Sequence, residues 1–359
     1  MNNTNSTTEE TFTETTVSDN LWSSVGIIII IIGTVGHLLS ITVMLTSKSM
    51  RVHSSTVYLI TMSIVGIISL YTGLLRYIIF IGLSGWEVDI RDNSDVFCKL
   101  HMTVTYASLQ YFAWLQATVA VDRLISVLFP HKYLISCKWK VGLITVFVEL
   151  VLVCLLNIAV GVSVSKSDEG HCKPHNKPFF YGAWGYIDLL SYSLIPAFIL
   201  VICNSIILRL LNQSKLKVKS NNTAVARSLT VMLMSLNVFF LITTLPVSVV
   251  FFLDWGTYGQ RRYAITELCW TIFSLLQYAG SACTFFVYCI TGSKFREELR
   301  KLPSRLGLRQ KRPRKKLSSQ NRQTSSPMLM TNGKTSGASY KSLQVSIQTD
   351  DTCVTDCGI

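Results

Sequence analysis

The sequence predicts an all-α fold: a bundle of seven transmembrane helices with a short amphipathic eighth helix. Three observations carry that prediction. Of 359 residues, 49% are apolar and only 15% are charged, well below the roughly 25% of an ordinary soluble domain. Seven long apolar segments follow one another along the chain, and the basic residues gather in alternate connections between them. The apolar content excludes disorder as a general description. A formal net charge of +13 would suit a nucleic-acid partner only if the basic groups shared one polar face. They are distributed by connection instead, so no nucleic-acid partner is expected.

The charge-free segments are 20–47, 52–75, 100–121, 228–253 and 268–293, each 22 to 28 residues long. At 1.5 Å of rise per helical residue, each is long enough to cross a bilayer core. Segments 141–165 and 178–208 complete the set, interrupted only by Glu149 and Asp188. Helices are required, because lipid offers no partner to exposed backbone groups. After the seventh segment, Phe295, Leu299 and Leu302 share one helical face and Arg296, Arg300 and Lys301 the other. That is the pattern of a helix lying along a membrane surface, and Pro303 is expected to end it. The organisation is therefore an N-terminal tail (1–23), a seven-helix membrane domain (24–292), the amphipathic helix (293–303) and a basic, Ser- and Thr-rich tail (304–359) expected to be disordered.

Orientation follows from charge. The connections after segments 1, 3 and 5 hold 11 basic residues against one acid, Asp122, whereas the other side holds 8 basic and 13 acidic residues. The positive-inside rule puts the first set in the cytoplasm, with the N-terminus outside and the C-terminus inside, as in a multi-pass plasma-membrane protein. Glycosylation sequons at Asn2 and Asn5 fall in the outer tail. The opening residues are polar and lack a basic n-region, so the first segment is expected to act as its own signal. The run 309–316 (RQKRPRKK) is placed to meet anionic lipid.

Of ten cysteines, Cys154, Cys203, Cys283 and Cys289 read as small buried apolar residues. Cys98 and Cys172 fall on the outer side, where an oxidising compartment favours a bridge between them, with Cys269 as the rival partner. No Cys/His cluster has metal-ligand spacing, and no phosphate loop, catalytic triad or paired-carboxylate site stands out. Neither an enzyme nor a cofactor-binding protein is expected. A transporter or channel is the competing class, but the repeated halves and broken spans of transporters are not seen.

With these spans, the short glycosylatable tail and the cysteine pair, the chain resembles the rhodopsin-like G protein-coupled receptors over about residues 24–302. Cys98 and Cys172 match that family's bridge from the top of helix 3 to the second outer loop. Asp122-Arg123, 24 residues beyond Cys98, matches its acid–arginine pair at the inner end of helix 3. Pro196 matches the helix 5 proline, Phe240 and Pro246 the aromatic and proline of helix 6, and Tyr288 the inner tyrosine of helix 7. The resemblance implies that Arg123 is the switch, held by Asp122 at rest and freed for a heterotrimeric G protein, with Tyr288 as one partner of the freed arginine.

Departures from the family pattern are numerous. His37 stands for the helix 1 asparagine, Gly66 for the helix 2 aspartate, Asn204 for the helix 5 tyrosine and Thr244 for the helix 6 tryptophan. Thr284-Phe285 stands for the Asn-Pro of helix 7. Without the helix 2 acid and the helix 7 asparagine, no allosteric sodium is expected. Thr105 occupies the place of the aminergic aspartate and Tyr278 that of the retinal lysine, which argues against both ligand classes. The family register turns Arg76, Thr105, Tyr106, Gln110, Asp188, Ser248, Ser274 and Tyr278 inward as a candidate ligand pocket. Mid-span Glu149 needs a partner or a proton.

The second outer loop alternates apolar and polar residues and suggests a hairpin tethered at Cys172. The acidic outer side would steer a basic or amidated peptide. The expected ligand is a neuropeptide, with a lipid or other small molecule next and a constitutively active or non-signalling receptor as a further alternative. Ser318, Ser319, Thr324, Ser325 and Ser326 are candidate receptor-kinase sites whose phosphates would recruit arrestin.

Overall fold

A computed structural model describes residues 3–48, 50–51, 54–85, 87–129, 138–214, 221–256 and 264–307. Seven long helices form the bundle. They are α1 (Asn3–Thr46), α2 (Ser54–Leu83), α3 (Asp95–Leu128), α4 (Lys138–Ser163), α5 (Trp184–Leu210 in its membrane-length part), α6 (Asn221–Gly256) and α7 (Ala264–Ala282, resumed at Thr284–Thr291). A short helix, α8 (Ser293–Arg305), follows. Strands β1 (Val164–Lys166) and β2 (Cys172–Pro174) form an antiparallel hairpin between α4 and α5, with Ser165 opposite Lys173.

Five of the long helices are apolar enough to cross a membrane by length and composition, and the bent α7 pair makes six. The remaining helix, α3, packs against α2, α4, α5 and α6. Packed among these helices, it carries buried polar groups such as Ser108, Gln110 and Gln116. The outward face of α4 has the opposite character, exposing Ile144, Phe147, Leu152 and Leu155. An exposed apolar surface of that extent is what lipid contact requires.

Hydrogen bonding within the helix is disturbed in both α5 and α7. In α5 a π-helical turn at Leu189–Leu194 precedes Pro196, whose missing N–H cannot bond one turn back. In α7 the two segments meet at 50° around Cys283. No proline sits there. Thr284 Oγ1 instead donates to the Ser281 carbonyl at 2.6 Å, a side-chain bond to the preceding turn of the kind that bends helices.

Several expectations are corrected. Helix α1 starts at Asn3, not at residue 20, and two residues assigned to the outer tail are packed inside: Trp22 is fully buried, and Ser18 shares a 2.7 Å hydrogen bond with Thr271. The second helix does not stop before Arg76 but runs to Leu83, because Asp89 neutralises the arginine (below). Pro303 does not end α8. The helix continues to Arg305, the Leu306 N–H still reaches the Leu302 carbonyl at 3.0 Å, and Gly307 at φ +72° terminates it, a left-handed C-terminal position suited to glycine. Cys154 is exposed on the outward face of α4 rather than buried, whereas Cys203 is buried.

Candidate functional site

The hairpin end of the bundle encloses a cavity of about 420 Å³. Its roof is the hairpin, fixed three times over. Cys172 is joined by a disulfide to Cys98 at the start of α3, with Cα atoms 5.6 Å apart. Asp92 accepts the Cys172 backbone N–H at 2.7 Å and also pairs with His171 Nδ1 at 2.7 Å. Asp95 accepts the Lys166 N–H at 3.0 Å and pairs with Lys99 at 2.6 Å. A loop bridging two helices is thereby converted into a rigid lid edge.

Seven of the eight residues expected to face inward line this cavity: Arg76, Thr105, Tyr106, Asp188, Ser248, Ser274 and Tyr278. The eighth, Gln110, lies beneath it. Gln110 Nε2 donates to Asp188 Oδ1 at 2.8 Å, and Asn157 Nδ2 donates to Gln110 Oε1 at 2.7 Å. This chain across α4, α3 and α5 gives the buried Asp188 carboxylate a hydrogen-bond donor. Arg76 is 8% exposed. Its guanidinium lies 4.8 Å from the Tyr77 ring centroid and 5.1 Å from that of Phe80, within cation–π range.

Other residues at this end were not singled out from the sequence. Asp89, in the connection between α2 and α3, accepts from Arg76 Nη2 at 2.7 Å and from Arg91 Nη2 at 2.6 Å. Burial alone would raise its carboxyl, but the hydrogen bonds and charges of the two arginines hold it well below the usual carboxylate range. His101, Tyr192, Trp270 and Gln277 complete the lining used below. Gln277 donates to the Tyr192 hydroxyl, joining α7 to α5. Trp270 packs with Tyr77 and Trp22, with centroids 5.1 and 5.6 Å away, and closes the wall between α7, α2 and α1. The isolated Asp-x-Arg spacing of Asp89 and Arg91 gave no sign that Arg76 would meet them.

At the opposite end, Arg123 Nη2 lies 3.3 Å from Asp122 Oδ2. Asp122 is also held by Ser54 Oγ at 2.7 Å and Ser55 Oγ at 2.8 Å. The carboxylate thus sits at the N-terminus of α2, where the helix dipole favours negative charge. Arg123 Nε is buried and has no hydrogen-bond partner among the described residues. Asn237 Nδ2 donates to Asn204 Oδ1 at 3.2 Å, tying α6 to α5. Tyr288 is fully buried, with its ring centroid 5.4 Å from that of Phe295 on α8. Phe240 lies 6.3 Å from Phe112 of α3, and Pro246 lies within α6.

Between the two ends, His37 is 1% exposed and its Nε2 has no partner. A Cβ built on Gly66 would stand 2.5 Å from that nitrogen and 3.0 Å from the Ser281 hydroxyl. The imidazole therefore fills the space beside Gly66. These groups do not fit the sodium ion that the family pattern implies, since they provide no carboxylate and the ring occupies the room. Glu149 lies 3.3 Å from Thr118 Oγ1 through both carboxylate oxygens. Asn2, Ser318, Ser319, Thr324, Ser325, Ser326 and the basic run 309–316 lie outside the described residues, as does the side chain of Asn5.

No curated protein matches the chain. A family model does: the 7 transmembrane receptor (rhodopsin family) matches residues 36–288, which run from within α1 to within the last segment of α7 and include both the cavity and the Asp122–Arg123 pair. The chain belongs to the rhodopsin family of seven-transmembrane receptors.

Proposed function

We propose that the protein is a plasma-membrane receptor that binds a peptide ligand at the hairpin end and activates a heterotrimeric G protein at the Asp122–Arg123 end. The hairpin end is then extracellular, in keeping with the loop charges. One observation supports this reading above the others: a roofed cavity at one end and a buried, serine-clamped acid–arginine pair at the other are built on the same helices. Only a ligand that binds the signalling arrangement more tightly than the resting one can shift the balance between them.

In the resting arrangement Asp122 holds Arg123, and the Asn204–Asn237 bond holds α5 to α6. Parting α5 and α6 breaks that bond and opens the face around Arg123. Asn204 is shorter than the family's tyrosine, so Tyr288, now packed against Phe295, is the nearer match for a partner of the freed arginine. In this reading α8 lies along the cytoplasmic membrane surface, and the phosphorylated tail recruits arrestin.

The cavity volume, about 420 Å³, falls within the roughly 300–1,000 Å³ of small-molecule sites. It admits one end of a peptide with the rest above the hairpin, and equally supports a small-molecule ligand as the second reading. The reading is tested with a panel of G protein sensors and a peptide library. Arg123→Ala is expected to abolish activation while surface expression persists. Unchanged signalling in the variant would remove Arg123 from the switch.

A further inference from the structure

We infer that the cavity takes a ligand bearing a carboxylate, received by Arg76, Arg91 and His101. This rests on the reading of the cavity as a ligand site and names the chemistry of what enters it. The first ground is charge. Two guanidinium groups converge on one carboxylate, Asp89, with side-chain exposures of 10% for Arg76, 15% for Arg91 and 5% for Asp89. The cluster keeps one uncompensated positive charge in a largely desolvated place, where an added anion is worth most.

The second ground is independent of the first. His101 is 7% exposed, lines the same cavity, and has both ring nitrogens buried without a hydrogen-bond partner among the described residues. Such a group carries the full cost of lost hydration until something meets it. The third concerns Arg91 Nη1, which is directed at the sulfur of Met102, 3.0 Å away. A thioether is a weak acceptor, and a carboxylate oxygen would displace it with a charge-assisted bond.

The rest of the cavity limits what carries the carboxylate. Its apolar and aromatic wall, including Tyr106, Trp270 and Tyr278, suits a hydrophobic or aryl body. Asp188 on α5 repels the anion and so confines it to the α2 side, leaving its own carboxylate for a ligand N–H. The 13 outer acids do not oppose this arrangement. Asp89, Asp92 and Asp95 are all engaged in the contacts given above, so the acidic outer side does not amount to a negative pocket. A free acid, rather than an amidated terminus, is the form that fits.

The test uses the full-length protein in nanodiscs and reads its melting temperature with matched probes. The dipeptide Phe-Leu as free acid, Phe-Leu amide, decanoate and decanamide are compared, so that a peptide carboxylate is distinguished from a fatty-acid carboxylate. At least one acid is expected to stabilise the protein where its amide does not. Arg91→Gln and, separately, His101→Phe are expected to weaken that acid by about tenfold, the loss of one charge-assisted bond. Should one variant not fold, the other carries the comparison. Equal shifts from acid and amide, no shift from either acid, or an acid-specific shift unchanged in the variants would overturn the inference. G protein sensors are not involved, so failure to signal counts against the proposed function alone.

Discussion

The two ends of this bundle are held in different ways. At the hairpin end a disulfide, the Asp92 and Asp95 bonds to backbone N–H groups and the doubly bonded Asp89 lock the connections over the cavity. At the opposite end, among the described residues, Arg123 Nε and the Tyr288 hydroxyl are buried without partners, and an amide–amide bond at 3.2 Å links α5 to α6. Covalent and charge-assisted ties make the first end preorganised. The second is left with groups that gain by rearranging, because an unsatisfied buried donor is costly. A receptor needs this asymmetry: a ligand must find a formed site, while the response must lie close in energy to the resting state.

The largest effect is expected at the locked end. Replacing Cys98 with serine opens a loop of 74 residues, which the chain-entropy treatment values at about 4 kcal/mol. Cys98→Ser is expected to lose most surface expression and to lower the melting temperature as far as reductant lowers it in the unchanged protein. If reductant leaves the melting temperature unmoved, the hairpin end is not held in the way described.

Next comes the middle of the bundle. Gly66→Ala places a methyl group against the His37 ring, an overpacking expected to cost about 1–3 kcal/mol. The double variant Gly66→Ala/His37→Ala should recover most of that loss in thermal stability. Additive losses would mean that the two residues are not coupled through one space.

A smaller effect is expected at the loosely held end. Ser54→Ala/Ser55→Ala removes two hydrogen bonds from Asp122, each worth about 1 kcal/mol or somewhat more. The acid then holds Arg123 less firmly in place, and ligand-free G protein signalling should rise several-fold at equal surface density. A fall in basal signal would show that the serines support the active arrangement. Smallest of all is the effect of sodium. Exchanging it for a larger monovalent cation at constant ionic strength should leave agonist affinity unchanged, and a sodium-dependent shift would contradict the filled space beside Gly66.

Much of this molecule is legible in the sequence because its strongest signals are local. Apolar length made the helices necessary, and loop charge suggested their direction. Residues at fixed helical spacing, such as Thr105, Tyr106 and Gln110 on α3, share a face whatever surrounds them. The break in α7 was less legible. Thr284 in place of asparagine marked a departure, but only the bond to the Ser281 carbonyl shows why the helix still bends there without a proline. The end of α8 was misjudged for a comparable reason. Pro303 gives up its own backbone bond, but the Leu306 N–H still reaches the Leu302 carbonyl and Gly307 supplies the stop.

What the sequence determined by itself is the class of object: an all-helical membrane bundle of the receptor type, with an acid–arginine pair at one end and paired cysteines at the other. Tertiary structure alone decided the chemistry of the cavity. Arg76 on α2 meets Asp89 and Arg91 of the following connection only in the fold, and His37 meets Gly66 only across a helix–helix contact. Charge count fixes a total, but which charges cancel depends on distances of a few ångströms between groups far apart in the chain. That is why acid-rich connections and a net positive cluster at the cavity coexist in one protein.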